Sequence, residues 1–291
     1  MTDEEMMNHA QVTLADGRTL SYADYGPQSG TPVFYFHGFP GSRLDWRIVA
    51  DDDAMLEELG IRVIAPDRPG YGQSDFQRGR DLLDWPDDVA QLADTLGIAS
   101  FSVLGLSGGG PYAAACAYKL PQRVVKIGMV SSMGPADAPG TTDGVSWMLP
   151  GMSPIVRRPI LRLTAMGLRK DPGEFVERSK ASMAEVDAVL LGDPRIAEVF
   201  AAGLVEAFRQ GIRAANRDAR IYTRPWGFEL QEIKTEVYLW HGGQDLNVPV
   251  SVARYIADLV PGAQAKVIPT DGHLTLSRNQ LREILTTLSG T

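Results

Sequence analysis

Several things are scarce in this chain. Its 291 residues include one cysteine, four histidines and fewer basic than acidic residues, with 28 Lys and Arg against 36 Asp and Glu. The lone Cys116 cannot close an internal disulfide, and among Ala113, Ala114, Ala115 and Ala117 it is expected as a small core residue. Four scattered histidines and one cysteine give no metal-ligand spacing, so neither a metal nor a cofactor is expected. A net charge of -8 argues against nucleic acid and anionic membranes, which attract clustered Lys and Arg. No segment reaches ~18 uninterrupted apolar residues, and the start, with Asp3, Glu4 and Glu5, lacks the basic and apolar parts of a secretory signal. The expectation is a cytoplasmic protein whose partner is a small, mostly uncharged molecule. Nothing in the sequence sets an oligomeric state.

What is present is a chain of 44% hydrophobic residues, enough for one large core and an accessory region. Alternation through Gln11 to Leu14 and Leu20 to Ala23, around the turn Ala15-Asp16-Gly17, predicts two antiparallel strands. Short apolar strands then alternate with helices: Val33 to Phe36, Arg62 to Ala65, Ser102 to Leu104, Val124 to Val130, Glu236 to Trp240 and Ala265 to Ile268. That pattern predicts a mostly parallel eight-stranded sheet with helices on both faces, an α/β fold. Strand signals stop between Gly134 and Trp226, so residues 135–226 are expected as an inserted helical cap on a core of 1–134 and 227–291. Asp171-Pro172 and Asp193-Pro194 mark helix starts, Ser182 to Glu185 forms a candidate capping box, and Pro135 to Gly144 a hinge.

The chemistry concentrates at Gly105-Leu106-Ser107-Gly108-Gly109, between an apolar strand and an Ala-rich helix. A G-x-S-x-G turn holds its serine in strained geometry, with small residues where strand and helix nearly touch. Serine is a poor nucleophile at neutral pH, so an imidazole must take its proton and a carboxylate must orient that imidazole. His273, in a loop after the last strand, is the candidate base, because parallel sheets place their sites at the carboxyl ends of strands. Asp245, after the preceding strand, is the candidate acid; the competing reading makes it a turn aspartate capping a helix near Pro249, with Asp271 as substitute. His241 is expected to pack its loop. A developing oxyanion needs backbone donors, for which Gly108 and Phe39 are the candidates. His37 is expected to fix the Phe39 loop by hydrogen bonds, and with Gly38, Trp147 and Met148 to border the substrate pocket. Leu149, Met152, Ile155, Leu161 and Met166 are further apolar cap positions, most of them expected in helix cores.

Through His37-Gly38-Phe39-Pro40, the Asp67 to Ser74 loop, the Ser107 turn, His241 to Asp245 and Gly272-His273, the chain resembles the α/β-hydrolase superfamily, in its capped, esterase-like serine-hydrolase branch. The order Ser107, Asp245, His273 is the one that resemblance implies. It further implies an acyl-enzyme mechanism on a carboxylic ester of small to medium size. Relatives with the same triad cleave carbon-carbon bonds of dienoates, release N-terminal proline or act as cofactor-free perhydrolases, and a slow-turnover small-molecule receptor is the alternative of another class. Serine at the turn, where epoxide hydrolases and haloalkane dehalogenases carry Asp, speaks against those two activities.

Overall fold

The computed structural model describes residues 9–290. Eight strands are present: β1 (His9–Thr13), β2 (Thr19–Tyr25), β3 (Thr31–Phe36), β4 (Ile61–Pro66), β5 (Phe101–Leu106), β6 (Val124–Val130), β7 (Glu236–Gly242) and β8 (Gln264–Ile268). The helices of the first half are α1 (Trp46–Val49), α2 (Ala54–Leu59), α3 (Trp85–Thr95) and α4 (Gly110–Lys119). Between β6 and β7 lie α5 (Met148–Gly151), α6 (Pro154–Lys170), α7 (Pro172–Lys180), α8 (Glu185–Leu190), α9 (Pro194–Ala207) and α10 (Arg213–Tyr222). α11 (Val250–Leu259), α12 (Thr275–Asn279) and α13 (Leu281–Ser289) follow β7 and β8.

The sheet order is β1-β2-β4-β3-β5-β6-β7-β8, antiparallel at β1/β2 and β2/β4 and parallel elsewhere. Central strands are predominantly apolar because both faces are covered. In β3 successive side chains point to opposite faces. Phe34 and Phe36 join a core with Trp85, Tyr112 and Trp226, whereas Val33 and Tyr35 join another with Trp46, Leu104 and Leu285. Phe36 meets Trp85 edge-on at 5.4 Å and Tyr35 meets Trp46 at 5.3 Å, one aromatic anchor on each face. Cys116 is fully buried within the first core, and burial pushes its thiol pKa well up.

The inserted helices sit over the strand ends on two smaller clusters. Tyr71, from the loop after β4, packs with Leu161, Leu168 and Phe208, while Leu274, after β8, packs with Val176 and Ile196. Asp171 accepts from the Glu174 N-H at 2.8 Å and Asp193 from the Arg195 N-H at 2.8 Å, so both starts are capped by aspartate. The capping box expected at Ser182 is absent. Helix α8 begins at Glu185 behind Ala184, and the Ser182 hydroxyl instead donates to Ser179 O, closing the turn after α7. Helix α10, within the segment assigned to the cap, buries Ile221 and Tyr222 in the main core. Among the described residues no helix is long and apolar enough to cross a membrane.

Candidate active site

Ser107 stands at the end of β5 with φ +54°, a conformation non-glycine residues rarely adopt. Its neighbours explain why the turn is tolerated. A Cβ on Gly105 would come within 2.6 Å of Gly109 O, and one on Gly109 would collide with Phe36 O. Behind the turn, Met133 N-H donates to Ser107 O at 3.0 Å, tying β5 to the end of β6. Helix α4 starts at Gly110, so its N-terminal dipole points at the serine.

Asp245 and His273 meet in the loops after β7 and β8. Nδ1 of His273 lies 2.8 Å from Asp245 Oδ2, and Asp245 Oδ1 accepts from the N-H groups of Asn247 and Val248 at 2.8 and 2.9 Å. The aspartate therefore ties down its own turn and orients the imidazole at once. Burial opposes its charge, but His273 and His241 prevail and hold its pKa below the usual carboxylate value. Burial likewise opposes the imidazolium of His273, yet the Asp245 charge and hydrogen bond outweigh it and raise the pKa. His241 packs its loop, Nε2 lying 2.8 Å from Val248 O. Asp271 takes no part in the pair; it bonds the side chains of Asn279 and Gln280.

One residue at this site carries no sequence signal. Asp187 of α8 is buried and accepts from the backbone N-H of His273 (2.7 Å), Leu274 (3.0 Å) and Thr275 (2.9 Å) and from the Thr275 hydroxyl (3.0 Å). An inserted helix thus holds the backbone of the histidine loop, and its negative charge is a further cause of the raised His273 pKa.

The loop after β3 faces the serine. A Cβ on Gly38 would lie 3.7 Å from Ser107 Cβ, and one on Gly108 would lie 3.2 Å from Phe39 N, so both candidate oxyanion donors lie close to Ser107. Arg68 braces this loop, donating to His37 O (2.5 Å) and Gly38 O (2.7 Å). His37 closes the brace: Nε2 accepts from Arg68 N-H at 3.2 Å while Nδ1 lies 3.0 Å from Gly38 O. Burial, then the Arg68 charge, push the His37 pKa well down, so the ring is neutral. Asp218 of α10 holds Arg68, Arg80 and Tyr112; burial opposes its charge, but Arg80 and Arg68 bring its pKa down to about 2. From the same helix the Tyr222 hydroxyl donates to Gly108 O at 2.8 Å. Neither Asp218 nor Tyr222 was legible as a site residue, because each acts through a fold contact with no local motif.

Ser107 and His273 open into a cavity of about 530 Å³ whose walls include Gly38, Phe39, Met148, Leu149, Met152 and Met183. No Lys or Arg lines it; the titratable lining groups are Asp45 and His273. Burial raises the Asp45 pKa to about 7. Two expected pocket residues lie elsewhere. His37 is turned into the Arg68 brace beneath the loop, and Trp147 packs against the main core while its neighbours Ser146 and Met148 line the cavity. Ile155 and Met166 are exposed and Leu161 is buried between helices, so none of the three reaches the cavity. Arg157 is buried, whereas Glu174 and Glu177 form exposed ion pairs with Arg178 and Lys180. Among the described residues no cluster of three or more His, Cys, Asp or Glu could hold a metal ion.

A family model described as alpha/beta hydrolase fold matches residues 31–279. A non-heme chloroperoxidase of Streptomyces lividans is 41% identical over 128 residues, 43% of this chain and 45% of that protein, so the match spans less than half of either. A 2-hydroxymuconate semialdehyde hydrolase of Pseudomonas sp. strain CF600 is 29% identical over 273 residues, 90% of this chain and 86% of that protein. Among solved structures, the esterase RhEst1 from Rhodococcus sp. ECU1013 has the same fold, with a TM-score of 0.72 at 20% identity over 98% of this chain and 99% of that one.

Proposed function

From the premise that this chain belongs to the alpha/beta hydrolase family, we propose that it is a serine hydrolase cleaving carboxylic esters of small to medium, mostly uncharged acyl groups. The observation that carries the reading is the buried Asp245-His273 pair, 2.8 Å apart, sharing one largely apolar cavity with a strained Ser107.

Neutral His273, its Nδ1-H donated to Asp245, takes the Ser107 proton at Nε2 as Oγ attacks the ester carbonyl. The N-H groups of Phe39 and Gly108 receive the negative oxygen, and the helix start behind Gly108 adds its dipole. Collapse expels the alcohol, which takes the proton from His273, and leaves an acyl-Ser107. Water, deprotonated by the same imidazole, attacks that ester, and the second collapse returns the carboxylic acid and free serine. Backbone donors held by the loop and the helix start before charge develops are what preorganised electrostatic catalysis requires.

Carbon-carbon bond cleavage is the second reading, supported by the likeness to the semialdehyde hydrolase. A substrate carrying carboxylate needs a cationic anchor, and this cavity offers none while presenting Asp45. Esters are therefore favoured. A panel of p-nitrophenyl esters of increasing acyl length, with a dienoate and a prolyl substrate beside them, decides between the readings. Multiple turnovers on short and medium esters are expected. Turnover of the dienoate alone, or a single acylation without cycling, overturns the proposal.

A further inference from the structure

A second cavity, of about 650 Å³, lies between the inserted helices and the loop 76–79, and its lining residues are unlike those of the first. Six arginines line it: Arg78 from the loop, Arg158 and Arg162 from α6, and Arg213, Arg217 and Arg220 from α10. No carboxylate does. Arg217 pairs with Asp81 at 2.9 Å, and among the described residues the other five form no ion pair. Against a chain charge of -8, this is a concentrated reversal of sign.

The surroundings strengthen the field. Arg157, only 2% exposed, sits beside the cavity between α6 and α10, donating to Pro150 O, Met152 O and Asn216 Oδ1, with no carboxylate partner and one guanidinium nitrogen unbonded. Burial first, then the charges of Arg220 and Arg158, lower its pKa, which registers the local excess of positive charge. A concave wall of like charge focuses potential on a small anion. Guanidinium forks match phosphate oxygens pairwise, and forks from two helices and a loop can grip more than one phosphate at once. Phe76, with Arg213 over its ring at 4.0 Å, and Ile212 add an apolar patch to the same cavity.

We propose that this cavity is a binding site for a small organic molecule carrying two or more phosphate groups, held by the six arginines with its apolar part against Phe76 and Ile212. The site is separate from the Ser107 cavity and does not depend on the reaction proposed there. Occupancy would join α6 to α10, the helix whose other face carries Asp218 and Tyr222 behind the oxyanion loop.

Calorimetric titration of the full chain at low salt tests this, with inorganic pyrophosphate, ATP and adenosine as probes. Pyrophosphate and ATP are expected to bind, ATP more tightly, and adenosine not at all, with affinity falling as salt rises. Arg162→Gln and Arg220→Gln, both at exposed positions, should each weaken ATP binding about tenfold or more. Arg282→Gln, a distant surface arginine paired with Glu58, should leave it unchanged, and Ser107→Ala should bind as wild type. Absence of binding at millimolar ATP, equal losses in Arg282→Gln, or a preference for RNA or anionic vesicles over the free polyphosphates would overturn the proposal. Circular dichroism of each variant separates a lost site from a lost fold.

Discussion

The floor and the roof of the Ser107 cavity are built differently. On the floor, the groups around the serine are held by several contacts: Asp245 by two backbone donors and an imidazole, the Phe39 loop by Arg68 and His37, the serine turn by contacts that exclude a Cβ. The roof contributes Met148, Leu149, Met152 and Met183 from short helices and turns, and among the described residues most large exposed apolar side chains, Ile155, Val156, Leu163 and Met166 included, lie on these inserted helices. A positioned floor suits chemistry, which fails with small displacements, and an adaptable thioether roof suits selection. Asp187 crosses the division, since it comes from the roof and holds the floor.

The largest effects should come from the floor. Ser107→Ala and His273→Ala should abolish multiple-turnover ester hydrolysis, Ser107→Ala should also abolish fluorophosphonate labelling, and Asp245→Asn should lose up to ~10⁴ in kcat. Steady-state rates near wild type in any of them would remove that residue from the mechanism. Next comes Asp187→Asn, expected to lower kcat/KM by about tenfold or more through loss of a buried charged acceptor. It should also move the acid limb of the pH profile. The proposed mechanism requires neutral His273, whose pKa is raised by the Asp245 and Asp187 carboxylates above the ordinary imidazole value of ~6.5. Removing one of those charges lowers that pKa, so the limb should shift to lower pH, as NMR titration of the His273 ring would read directly without any substrate. An unmoved limb would confine Asp187 to the roof's own folding.

Smaller changes belong to the roof. Met148→Ala or Leu149→Ala should alter discrimination between short and longer acyl esters by ~1–3 kcal/mol while labelling of Ser107 persists. Trp147→Ala should instead lower stability, because its ring packs against the core. Equal kcat/KM ratios in the Met148 and Leu149 variants would end the roof's role as selector. The smallest effect tests a weak point in the floor. Burial raises the Asp45 pKa to about 7, so ionising it in the folded state becomes unfavourable as pH climbs from ~3.9 through 7. Asp45→Asn should raise Tm by a few degrees, on the order of 1 kcal/mol, at pH 8 and leave it unchanged at pH 4. A decrease at pH 8 would mean that the ionised carboxylate is needed where it sits.

The sheet and its insertion were legible because their signals are local: apolar runs of strand length, a turn sequence, aspartates before prolines. The loops bearing Ser107, Asp245 and His273 could be named for the same reason, each following a recognisable strand. Misplacements arose one residue away from correct neighbours. Trp147 lies between Ser146 and Met148, yet the tight turn there sends it to the core and them to the cavity. His37 follows a buried strand and turns beneath its loop to Arg68. Asp187, Asp218 and the arginine-lined cavity depend on which helix meets which loop, and a chain of net charge -8 hides a local excess of arginine in its average.

The strand order has a consequence for how the protein is made. Ser107 follows β5, whereas Asp245 and His273 follow β7 and β8, which add in turn to one side of the sheet beyond β6. During synthesis the serine and its turn emerge long before the residues proposed to activate it. On the mechanism proposed above, a nascent chain holds an unactivated hydroxyl through most of its elongation, and turnover is expected only when the last two strands have docked, so activity should report completed folding more stringently than helix content does.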